Sequence, residues 1–239
     1  MKNLTGFEHT RSCYRLAAGG RSARTLAEFT IYRARRYVVG AKTAIIALMA
    51  LAQAAYGEVL ASSHDFSDKA WSGGDKCVAC HVPHESNTGV PVTQLWNHEV
   101  TTASFQLYAS GTLNAKPGEP SRVSKLCLSC HDGTVAIDSF GSMPDGTQFM
   151  SGTALLGTRL DDDHPISFVY DTALVNLDGG LHDPTIRTSG LGGSIDADML
   201  FDGRVECTSC HDPHGLSGVP KLLRISNEGS ALCLVCHNK

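Results

Sequence analysis

Eight of the nine cysteines in this 239-residue chain fall into four units of one spacing. They are Cys77-Val-Ala-Cys80-His81, Cys127-Leu-Ser-Cys130-His131, Cys207-Thr-Ser-Cys210-His211 and Cys233-Leu-Val-Cys236-His237. Cysteines three apart lie on one side of a helical turn. They can bond the two vinyl groups of one porphyrin, and the next histidine then falls beneath the iron. C-x-x-C-H is the attachment signature of haem c. The expected cofactors are four covalently attached haem c groups, with His81, His131, His211 and His237 as proximal iron ligands. Zinc ribbons use paired C-x-x-C units but need no histidine after each. Disulfides do not explain four identical spacings followed by histidine.

Four haems need four distal ligands for six-coordination. The chain holds 11 histidines, and seven lie outside the motifs. Apart from His9, these are His64, His84, His98, His164, His182 and His214. His84 and His214 occupy equivalent places, in His81-Val-Pro-His84 and His211-Asp-Pro-His214. A histidine three past a proximal ligand cannot easily curl over the same haem, so each is expected to reach a neighbouring one. His98 follows Leu95-Trp96-Asn97, where Trp96 could cover a haem face. His164 follows three aspartates and His64 precedes the first motif. His64, His84, His98, His164 and His214 are the candidate distal ligands; His182, in a Gly-rich stretch, reads as a loop histidine. Met143, Met150 and Met199 are alternative axial ligands that would raise the potential, although methionine usually packs.

Charge divides the chain. Residues 1–54 carry nine Lys/Arg and two acids; the remainder carries 11 bases and 22 acids. Basic residues up to Lys42 precede an apolar run from Thr43 to Ala52, and Ala52-Gln53-Ala54 is an A-x-A site. This reads as a secretory signal, too short and too lightly apolar for a good membrane span. Cys13 and His9 fall within it and receive no role. The expected organisation is a leader over 1–54 and a tetrahaem domain over 55–239. Two motif pairs, at about 70–140 and about 200–239, are joined by a long connector.

The elements that position these groups should be few. Gly, Pro, Ser, Asn and Asp punctuate nearly every stretch between motifs. The predicted class is mostly irregular, with few short helices and strands and with the haems forming the core. Only about 45 residues accompany each haem, too few for an ordinary apolar core. A short helix is expected over Thr101–Ala109, a strand over Pro165–Tyr170, and loop over Leu174–Asp198. Asp161–Asp163 reads as a solvated acidic turn, with a bound cation such as Ca²⁺ as the alternative.

His64-Asp-Phe, Leu95-Trp-Asn-His98, Cys127-Leu-Ser-Cys-His-Asp-Gly133, His164-Pro-Ile-Ser-Phe168 and the Cys-x-x-Cys-His-x-Pro-His segments resemble the doubled C-x-x-C-H multihaem cytochromes. Within these, the chain over 64–239 is most similar to OmcE-like tetrahaem cytochromes, which polymerise into extracellular nanowires. The resemblance implies a loop-built protomer, bis-histidine haems in a continuous stack, and one distal histidine supplied by the adjacent protomer. His64 is the candidate for that crossing. The expected function is long-range electron transfer without catalysis, at the cell surface or in the periplasm. Partners would be further copies, other redox cytochromes or extracellular acceptors, with no nucleic acid. A monomeric periplasmic shuttle and a subunit docked on a membrane partner use the same haems. A multihaem reductase needs a vacant distal site, which the histidine supply argues against.

Overall fold

The computed structural model describes residues 62–81, 95–141 and 143–238. The leader and His84 lie outside the described residues. A boundary between Gly57 and Glu58 divides the chain into two units, and all described residues fall in the second. Among them, no helix is long and apolar enough to cross a membrane.

Regular structure is sparse, as the punctuation predicts. The order is β1 (Gln106–Leu107), α1 (Arg122–His131), β2 (Arg159–Leu160), β3 (Phe168–Val169), α2 (Thr172–Asp178), α3 (Ile195–Met199), β4 (Arg204–Val205), α4 (Cys207–Cys210) and α5 (Ala231–Cys236), with short 3₁₀ turns between some of them. β1 pairs in parallel with β2, while β3 and β4 are antiparallel with Phe168 opposite Val205.

The strand expected over Pro165–Tyr170 forms at Phe168–Val169. Two expectations fail. Thr101–Ala109 holds no helix; its centre is the extended β1, where Gln106 faces Arg159 and Phe105 packs on Leu128 and Leu160. Leu174–Asp198 is not all loop, because it contains most of α2 and almost all of α3. The polar and glycine residues read as loop markers include helix ends. The Asp171 carboxylate caps α2 by accepting from Leu174 N at 2.8 Å, and Gly179, at φ 72°, closes it by donating to Val175 O. Left-handed φ at a helix end favours glycine. Ser194 caps α3 by accepting from Ala197 N.

These short helices bury an apolar cluster. Ile195 and Met199, one turn apart in α3, pack with Phe168, Tyr170, Leu174, Leu200 and Val205. Leu181, Ile225, Leu232 and Val235 lie against it. The connector therefore has a modest core of its own, to which the last motif is attached. A second cluster joins Phe105, Leu128 and Leu160. Ahead of the first motif, Phe66 packs at a tilt on Trp71 at 5.3 Å and Trp71 on Phe140 at 5.5 Å, which fixes the segment carrying His64.

Candidate functional site

All four motifs wind into a helical turn. His81 N donates to Cys77 O at 2.8 Å, His211 N to Cys207 O at 3.0 Å and His237 N to Cys233 O at 2.9 Å. The remaining motif lies inside α1, which continues through His131. The spacer residues hold these turns in place. Ser129 donates to Lys125 O and accepts from Thr101 N. Ser209 accepts from Glu206 N in a reciprocal capping box at the start of α4. Glu206 is 1% exposed. Its carboxylate accepts from Ser124 on α1 and from Ser167 ahead of β3, so one buried acid ties three segments together.

Each motif is also closed by another segment running past it. Asn97 N donates to Cys80 O at 3.0 Å, and its side chain reaches Val78 O at 2.9 Å. Leu156 N and Gly157 N both donate to His131 O. Asp212 N donates to Leu222 O, and Arg224 N to Cys210 O. His182 N donates to Cys236 O and Asn238 N to Gly180 O, while Tyr170 Oη donates to His182 O at 2.6 Å.

Those segments set the proximal imidazoles. His131 Nδ1 is 2.7 Å from Ala154 O, His211 Nδ1 is 3.1 Å from Lys221 O, and the His81 ring bonds the Leu95 carbonyl. A carbonyl only accepts, so Nδ1 carries the hydrogen and the Nε2 lone pair is left for a metal. Two non-motif histidines are oriented alike: His164 Nδ1 is 2.8 Å from Pro165 O, and His64 Nδ1 is 3.4 Å from Pro213 O. Burial, as the main cause, holds His64 and His81 below the ordinary imidazole value and so in the neutral, metal-binding form.

Three ring pairs follow. His81 faces His214 at 6.2 Å between centroids, His131 faces His64 at 6.1 Å, and His237 faces His164 at 6.3 Å. Two imidazoles on opposite sides of one metal, each bonded at about 2 Å, have centroids about 6 Å apart. Ordinary aromatic pairs span about 4.5–7 Å, so distance alone does not decide. What decides is the composition of the pairs: each joins one motif histidine to one histidine outside the motifs.

Residues 201–239 match the family model described as the doubled CXXCH motif. The match covers the third and fourth units, and supports a multihaem c-type cytochrome with covalently attached haem that carries electrons. No curated protein matches the chain.

The site suits haem better than the other uses of C-x-x-C. None of the eight motif cysteines is joined in a disulfide. Burial pushes the Cys80 thiol up to about 11, Cys130 to about 12 and Cys236 to about 11, whereas zinc-binding and redox cysteines need a stabilised thiolate. Among the described residues, no three His, Cys, Asp or Glu side chains are gathered to hold a metal ion. Leu155 and Leu156 beside His131, Leu216 beside His214 and Leu234 within the last motif are exposed, and a porphyrin held there would cover apolar surface of this kind. The residues that would hold four haems are Cys77 and Cys80, Cys127 and Cys130, Cys207 and Cys210, Cys233 and Cys236, with the four motif histidines. When bound, a haem between two imidazoles takes up and gives back one electron at its iron.

The other predicted residues are placed as follows. His64 stands against His131 of its own chain. Among the described residues, no imidazole stands opposite His211 at pair distance. His98 faces no motif histidine: its Nδ1 is 2.7 Å from Glu99 O and its Nε2 is 3.0 Å from Ala136 O. Met199 is core packing, and Met143 is exposed. Asp161 pairs with Arg159 at 3.1 Å and accepts from Gln106 at the surface. The two halves also meet, which sequence did not reveal. The Cys127 thiol is hydrogen-bonded to the Cys207 sulfur, and that contact together with burial keeps it protonated. Asn97, Ser129, Ser209 and Glu206 were not foreseen. An acid directly before a C-x-x-C, with serine three residues on, is the signal that could have found Glu206 and Ser209.

Proposed function

We propose that the chain is an exported tetrahaem cytochrome that relays electrons and assembles into an extracellular filament. The observation that carries the electron-transfer reading is the set of three mixed imidazole pairs, His81–His214, His131–His64 and His237–His164. Iron closed on both sides by imidazole has no position for a substrate, so these residues favour relay over catalysis. Two imidazole ligands also favour potentials below those of His/Met haems.

Assembly into a filament is supported by the resemblance to OmcE-like cytochromes. With His64 engaged inside its own chain, the motif left to complete is that of His211. Its ring is exposed, and His84 or a histidine of a neighbouring copy would supply the opposing imidazole. A head-to-tail contact made this way does not close on itself.

The test is a haem assay, electron paramagnetic resonance and electron microscopy on protein from the native host. About four haems per chain, one for each attachment motif, all low-spin and in filaments, is the expected result. Low-spin monomers would favour the shuttle; a stoichiometric high-spin haem in the wild type would favour the reductase. His64→Ala should keep the haem count and turn one haem, that attached at Cys127 and Cys130, high-spin.

A further inference from the structure

We propose that Leu95 and Trp96 hold the His81 ring parallel to that of His214, which sets the haem attached at Cys77 and Cys80 apart from the two other paired haems and lowers its potential. The inference rests on the haem reading above and makes Trp96 a positioning residue within it.

The three pairs differ in the angle between their rings. His81 and His214 are 16° apart, close to parallel. His64 and His131 are turned by 60°, and His164 and His237 by 77°. The angle matters electronically. A low-spin ferric iron has one hole in its two dπ orbitals, and an imidazole donates π density perpendicular to its own plane. Parallel rings raise the same dπ orbital, so the two levels split and the hole settles where both rings donate to it. Crossed rings raise one level each and leave the two nearly equal. Parallel planes therefore favour the ferric form and a lower potential, axial ligation being one of the protein's levers on a haem.

An imidazole turns easily about its bond to iron, so the angle has to be held by the chain. For His81 the segment 95–97 does this. Leu95 sits at φ 73°, a left-handed conformation uncommon for a bulky side chain, and its carbonyl bonds the His81 ring. Such backbone persists where the surroundings over-determine it. Here the Trp96 backbone is bridged to His81, and Asn97 N donates to Cys80 O at 3.0 Å. The Trp96 indole then stands edge-on to the His81 ring, at 88° and 6.3 Å between centroids. Behind it lies the ring of His98, 6.4 Å away and 1% exposed, which keeps the indole from retreating. On the far side, the Asp212 carboxylate accepts from His214 N and Leu216 N, and its Oδ1 lies 3.6 Å from His214 Nδ1. Both rings of the pair are thus fixed from their own segments.

The experiment reads electron paramagnetic resonance and midpoint potentials on the full haem-loaded chain. Parallel imidazoles give a low-spin signal with three resolved g values; crossed imidazoles give a single feature at larger g. The wild type should show both types. Cys77→Ser/Cys80→Ser should lose one haem's intensity from the three-value signal and none from the large-g feature. Trp96→Ala should keep the haem count and low-spin iron, while one haem passes from the first type toward the second and one potential rises. Admitting water to a haem would by itself favour the charged ferric form and lower the potential, so a rise is not what lost packing alone gives. Trp96→Phe keeps a flat edge and gives up only an N–H that meets no acceptor among the described residues; both readouts should return toward wild type. Loss of the large-g feature in Cys77→Ser/Cys80→Ser would overturn the proposal, as would wild-type spectra or wild-type potentials in Trp96→Ala. Should Trp96→Ala not mature, Trp96→Leu, which fills space without a flat edge, is read in the same way. A wild type showing only the large-g feature would overturn the proposal and leave the cytochrome reading intact; a wild type without covalent haem would defeat that reading itself.

Discussion

At the scale of single residues, a histidine three past its own proximal ligand is expected to serve a haem other than the one beside it. The reason is short-range geometry, and for His214 the structure supplies a partner in His81. The Asp212 carboxylate shapes the turn by accepting from His214 N at 2.9 Å and Leu216 N at 3.0 Å. His214→Ala should therefore leave four haems attached and turn high-spin the one bonded to Cys77 and Cys80, not the one beside it. Resonance spectra of the variant, combined with Cys77→Ser/Cys80→Ser to remove that haem, check the assignment. A high-spin signal surviving the loss of that haem would refute it. Other residues were less legible. His98 carries the same atoms as His164, and only the carbonyls facing its ring set it apart from a histidine that stands against a motif imidazole. Those carbonyls belong to Glu99 and Ala136, whose side chains announce nothing.

At the scale of elements, the motif turns could be read from sequence because the C-x-x-C spacing is itself a helical turn. The closing segments could not. Ala154, Lys221 and Leu95 act through backbone oxygens, which every residue has. The helices of the connector were missed because Asp171, Gly179 and Ser194 were counted as loop residues when they are caps. β1 was taken for a helix because its neighbours on β2 lie some fifty residues away. Glu206 is the element-scale test. It is buried, accepts from Ser124 and Ser167, and caps α4. Glu206→Ala leaves two buried hydroxyls without their acceptor and should destabilise the α1–α4 junction by about 1–3 kcal/mol for each. Chemical denaturation of the haem-loaded protein measures it. Ser124→Ala, which removes one of those donors and keeps the acid, should cost less, about 1–3 kcal/mol.

At the scale of the whole molecule, the class was legible and the source of cohesion only partly so. Sequence reasoning left no room for an apolar core, yet Phe168, Tyr170, Leu174, Ile195 and Met199 form one in the connector. It is small, and the other described cluster is smaller still. Cross-links through attached groups must supply much of the rest, as bound metal does in small domains. Chain with all eight motif cysteines changed to serine should be digested rapidly by trypsin under conditions where the haem-loaded protein persists. Equal resistance of the two forms would show that the polypeptide alone holds the fold.

The pairing of His81 with His214 has a consequence in time. If the protein leaves the cell N-terminus first, the Cys77–His81 unit emerges early and its opposing imidazole follows only after most of the chain has passed. The first attachment can thus be completed while its far side is still open to water and small oxidants. His64, which precedes the first motif, meets His131 much sooner. The centre made first is therefore sealed after the second, and a chain cut short before residue 214 would carry a first centre that never closes.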